Sequence, residues 1–166
     1  MLVFIELASR RVYLAGVTAN PSGDWATEQA RNIVETFVER AEPIRLLIHD
    51  RESKFTGAFD EVFRSDGIRT FRTPVRAPRA NAFVERSIGT ARRECLDQLL
   101  IVNRRHLERV LPIYIRHYNG HRPYRSLDQR SPIEAPPPES AAFAALDRVR
   151  RRDVLGGLVH EYETAA

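Results

Sequence analysis

The stretch Ile44-Arg-Leu-Leu-Ile-His-Asp50 constrains the fold more than any other part of the chain. A short apolar run stops at an acidic residue, and polar, turn-forming residues follow as far as Phe55. Such a run reads as a buried strand that delivers a carboxylate at its C-terminal end. A second stretch, Pro78-Arg-Ala-Asn-Ala-Phe-Val-Glu85-Arg-Ser, reads as the start of a helix, with Asn81 as its cap and Glu85 in the first turn. Two carboxylates on separate elements of an α/β core can grip a divalent cation that neither holds alone. Asp50 and Glu85 are therefore the candidate catalytic and metal-ligating residues.

At 166 residues the chain suits one domain with a small appendage. No run approaches the ~18 apolar residues of a membrane span. The apolar Met1–Leu7 patch has no basic region before it and is interrupted by Glu6, so it does not read as a signal peptide. The single cysteine, Cys95, excludes an internal disulfide and a multi-cysteine zinc site, which fits a reducing cytoplasm. Net charge is +4, but its distribution is more informative. Arg69 to Arg130 holds 14 Arg and 5 acids, 14 − 5 = +9, which leaves 4 − 9 = −5 elsewhere. That asymmetry suits a phosphate-backbone footprint. Lys54 is the only lysine, so GC-rich coding is a second explanation for the arginines.

Met1–Glu6 and Arg11–Val17 read as two strands joined by a tight turn at Ala8-Ser-Arg10. A helix is expected over Asp24–Ala41, with Ala30, Ile33, Val34 and Phe37 on one face. Thr56 caps a helix to about Ser65, Gly67 ends it, and Ile68–Phe71 is a short strand. Strand, helix and strand in this order argue for an α/β sheet covered by helices. On the Glu85 helix, Val84, Ile88, Ala91 and Cys95 form the expected core stripe. Glu85 and Arg92 share one edge of it, and Gly89 leaves room between them for a nucleic-acid strand. A plain solvated flank explains the same positions. Asn103 is expected to cap a helix with Leu107, Val110, Leu111, Tyr114 and Tyr118 inward. His121 to Leu127 is a basic, aromatic-containing loop, and Pro132–Pro138 is a spacer. Asp147–Tyr162 reads as a separate small element. His49, His106, His117 and His121 read as surface or structural histidines rather than a metal set.

Three stretches together resemble the integrase-core family of retroviral-type integrases and bacterial insertion-sequence transposases. They are Asp50-Arg-Glu-Ser-Lys-Phe-Thr56, Arg79-Ala-Asn-Ala-Phe-Val-Glu-Arg86, and Tyr118-Asn-Gly-His-Arg-Pro-Tyr-Arg-Ser-Leu127 followed by Ser131-Pro132. Asp50 and Glu85 lie 85 − 50 = 35 positions apart, and the resemblance runs over about residues 1–135. It implies a ribonuclease H-like mixed sheet flanked by helices, with a tail over residues 136–166. It also implies DNA integration or transposition at a Mg²⁺ or Mn²⁺ site built from three acidic residues. Asp50 matches the second acid, Glu85 the third, and Arg92 the basic residue two turns on. DNA contacts are expected from Lys54, Asn81, Arg86, Arg92, Arg93, Arg122 and Arg125.

In the family the first Asp lies on a central strand upstream of the segment matching Phe4–Arg10, in the order 3-2-1-4-5. The chain is thus expected to be an N-terminally truncated core that lacks that strand and has negligible strand-transfer activity alone. Its expected partners are DNA, further copies of itself or an intact transposase, and no membrane. The alternative is a non-catalytic DNA-binding or assembly module that modulates an intact transposase.

Overall fold

The computed structural model describes residues 1–74, 82–133 and 149–164. These include strands β1 (Leu2–Ile5), β2 (Val12–Gly16), β3 (Leu46–His49), β4 (Arg69–Arg72), β5 (Val149–Val154) and β6 (Val159–Thr164). The helices are α1 (Gly23–Val38), α2 (Gly57–Ser65), α3 (Ala82–Glu94) and α4 (Arg104–Gly120). Together they make a mixed α/β fold. Among the described residues the strands pair two by two, β1 with β2, β3 with β4 and β5 with β6, rather than in one continuous mixed sheet. None of the described helices is long and apolar enough to cross a membrane.

The chain divides into two units. The first comprises residues 1–4 and 14–86, and the second residues 5–13 and 87–166. The dividing line runs through α3. The domain boundary read at residue 135 lies outside the described residues.

The first unit is built on aromatic packing. The Ser22 Oγ accepts the Trp25 N–H at 3.1 Å and so starts α1 one residue before the expected Asp24. The helix ends at Val38 instead of Ala41, because Pro43 disfavours helical backbone just before it. It buries Ala26, Ala30, Ile33, Val34 and Phe37, the expected face. Thr56 caps α2 as read, and Gly67, at φ +76°, takes the left-handed backbone that follows the helix end. The Phe4 ring lies 5.8 Å from Phe37 and 5.9 Å from Phe63, and Phe63 lies 5.1 Å from Phe59.

Strand β3 departs from its expected burial. It pairs in parallel with β4, Leu46 opposite Arg69 and Ile48 opposite Phe71. Leu46 is 44% exposed, Ile48 42% and Phe71 52%. Only alternate positions of a strand share a face. His49 takes the inner face, and nothing among the described residues covers the outer one. The run is apolar on both sides of a sheet that is packed on one.

In the second unit, Asn103 caps α4 by accepting the His106 N–H at 2.9 Å. Val110, Leu111, Tyr114 and Tyr118 are buried as read, and Leu107 is half-buried. Asn119 is buried with them. Its Oδ1 accepts the Val12 N–H at 2.9 Å, and its Nδ2 donates to the Val12 carbonyl at 2.8 Å. One side chain thus completes both main-chain groups of a β2 residue 107 positions away. The small C-terminal element is the antiparallel hairpin β5–β6, turned by Leu155, Gly156 and Gly157 at positive φ.

Candidate active site

The end of β3 is held on several sides. The His49 Nδ1 donates to the Asp50 carbonyl at 2.8 Å, and its Nε2 lies 2.8 Å from the Asp60 Oδ1. The other Asp60 oxygen accepts from Arg72 at 3.1 Å, so β3, α2 and β4 are tied to one buried carboxylate. The His49 ring packs at 5.0 Å on Phe55 and 5.5 Å on Phe59. Arg51 donates to the Thr73 carbonyl at 2.9 Å. Asp50 follows on this anchored frame, half-buried, and its Oδ1 accepts the Glu52 N–H at 3.0 Å. Lys54 pairs with Glu52 and lies 4.8 Å over the Phe55 ring. His49 is therefore structural, as read. Nothing local in the sequence announces its partner Asp60, 11 positions on.

Glu85 stands exposed in the first turn of α3 with Arg86 beside it, both in the first unit. Asn81 lies outside the described residues. Arg92 and Arg93 are exposed on the part of α3 that belongs to the second unit. Two details of this helix differ from expectation. Ala91 and Cys95 are buried, but Ser87 and Thr90 are buried where Val84 and Ile88 are only half-buried. Short hydroxyl side chains fit the contact face, and the Thr90 Oγ1 accepts from Arg93 at 3.4 Å. The gap expected at Gly89 is occupied. A Cβ there would meet an Arg93 guanidinium nitrogen at 3.1 Å.

Arg122, expected to contact DNA, grips Glu94 in a fork, Nε at 3.1 Å and a terminal nitrogen at 2.8 Å. Its guanidinium also lies 5.5 Å from the Tyr118 ring and 5.3 Å from the Tyr124 ring. The Tyr114 hydroxyl donates to the same carboxylate at 2.7 Å. The segment Tyr118-Asn-Gly-His-Arg122 thus contributes a buried ring, a clasp on β2 and an ion pair. Arg125 remains exposed in the turn Arg125–Leu127.

Burial pushes the Glu94 carboxyl up, but the bonds from Arg122 and Tyr114, with the charges of Arg122 and Arg93, outweigh it. The group titrates below its ordinary value. A depressed carboxyl stabilises the fold at pH above the unfolded value, about 4.3. That contribution is lost as pH falls through the lower folded value. Thermal melts of wild type should therefore drop more steeply below about pH 4.3 than those of Glu94→Gln, and parallel curves would refute the assignment.

Among the described residues, the group of three or more side chains placed to share a metal ion is His121, Glu161 and Glu163, in the second unit. It includes neither Asp50 nor Glu85.

Residues 66–132 match the integrase core domain family. The matched stretch contains Glu85, Arg86, Arg92, Arg93, Arg122 and Arg125, and lies C-terminal to Asp50 and Lys54. The fold is similar to that of a chain in the cryo-EM structure of the simian T-cell lymphotropic virus intasome in complex with PP2A regulatory subunit B56 gamma. The TM-score is 0.63 at 14% identity, over 96% of this chain and 58% of that one. The present chain therefore spans less than two thirds of that relative's length. No curated protein matches the sequence. The family match is confined to residues 66–132, and the likeness to the intasome chain is one of fold.

Proposed function

We propose that this chain is an integrase-type core acting on DNA phosphodiesters, related to insertion-sequence transposases. The observation that carries the reading is the integrase core match across α3 and α4, with Glu85 in the first turn of α3. Asp50 at the anchored end of β3 supplies the second carboxylate. Their hard oxygen donors suit Mg²⁺ or Mn²⁺. When bound, such ions activate water or a 3′-hydroxyl toward a phosphodiester. Among the described residues, the ligand group of three or more side chains includes neither of these two carboxylates.

Lys54, Asn81, Arg86, Arg92, Arg93 and Arg125 are the proposed phosphate contacts, while Arg122 positions α4 against α3. The same arginines support a second reading, a non-catalytic DNA-binding or assembly module. Binding of a fluorescent DNA duplex should weaken steeply with salt, roughly 0.9 in log–log slope for each phosphate neutralised. Glu85→Gln should leave that binding intact, whereas Arg86→Ala with Arg93→Ala should flatten the slope by about 2. Salt-independent binding, or none, would refute both readings. Metal-dependent nicking abolished by Glu85→Gln would decide for the first reading, and DNA binding without nicking for the second.

A further inference from the structure

We propose that the C-terminal end of α4 and the C-terminal hairpin form a second metal site, in which His121, Glu161 and Glu163 ligate a single Zn²⁺. The metal-ligating atoms of the first three lie within 4.8 Å of one another. His117 lies in the last turn of α4 and His121 caps that helix four residues on, and their rings stack at 5.9 Å with 12° between planes. Glu161 and Glu163 are two apart on β6 and so point to the same face of the hairpin.

Both oxygens of Glu161 face the histidines. His117 Nδ1 lies 3.4 Å from one Glu161 oxygen, and His121 Nε2 lies 3.7 Å from the other. Donors on a tetrahedral zinc at ~2.0–2.1 Å stand roughly 3.3–3.5 Å from each other, whereas a good hydrogen bond is shorter. His117 Nδ1 is sealed from solvent, and the Glu161 carboxylate is its neighbour. Glu161 is 2% exposed, and its Oε2 accepts from Arg152 at 3.0 Å. Imidazole with carboxylate is a zinc set, distinct from the all-oxygen set of Asp50 and Glu85. A two-stranded hairpin is barely stable alone in water, so a metal bridge to α4 would fix it. The proposal is independent of the reading as an integrase core.

The test is calorimetric titration of ZnCl₂ into the full chain after EDTA treatment and dialysis, with CoCl₂ as an optical probe. One saturable site is expected, with the intense visible bands of tetrahedral cobalt. His121→Asn and Glu163→Gln should each weaken zinc binding about tenfold or more, while Asp50→Asn leaves it unchanged. Zinc should also slow amide exchange in β5 and β6 of the wild type, a readout that does not depend on the variants folding. Absence of saturable binding would overturn the proposal. So would unaltered affinity in both His121→Asn and Glu163→Gln, or loss of binding in Asp50→Asn.

Discussion

Replacing Phe59 with alanine is expected to cost about 3–5 kcal/mol, the usual range for emptying a buried phenylalanine site. Phe59 has no exposed surface, and its ring meets Phe55 at 4.8 Å, Phe63 at 5.1 Å and His49 at 5.5 Å. The loss is a large share of the roughly 5–15 kcal/mol that holds a typical domain together. Its consequence extends to the candidate site, because His49 leans on this ring while bonding both the Asp50 carbonyl and Asp60. Phe71→Ala is the control. That ring is half exposed on the outer face of β4, and its removal should cost within about 0.5 kcal/mol. Urea denaturation followed by fluorescence of Trp25 reports on both variants. Equal effects would mean that the aromatic cluster is not the core of the first unit.

Asn119→Ala is the second large effect, at about 2–6 kcal/mol. Removing the amide strips partners from two buried main-chain groups of Val12, each costing about 1–3 kcal/mol when left unsatisfied. Asn119→Asp should rescue little. Its carboxylate can accept the Val12 N–H but faces the Val12 carbonyl with a second acceptor. The measurement also separates structure from recognition. Asn119 lies in the segment that carries the integrase-like motif, where a polar residue invites reading as a DNA contact. If Asn119→Ala kept full stability and lost DNA affinity, the clasp would be wrong and the contact right.

How far these features could be read from sequence depends on how local they are. The strand end at Asp50, the Thr56 cap, the inner face of α4 and the existence of a C-terminal element all rest on spacing within one or two turns. Each is present as read. The exposure of Leu46 and Ile48 could not be read, because an apolar run does not say how many faces of its sheet are covered. Arg122 reads as a free cation until Glu94, 28 positions earlier, is folded against it. The edge opened by Gly89 closes because Arg93, one turn on, swings over it, and side-chain direction is not written in helical spacing. His121 and Glu161 meet across 40 positions, a contact that no local spacing announces.

Cys95 gives the second unit a built-in reporter. The thiol is fully buried, and burial pushes it up to about 11, so little nucleophilic thiolate exists at neutral pH. Being the only cysteine, it gives any alkylation a single address. Modification must wait for the surrounding packing to open, and its rate then measures that opening. The chain can therefore be assayed for local unfolding around α3 and α4 without an engineered label, with Asn119→Ala as the first variant to compare.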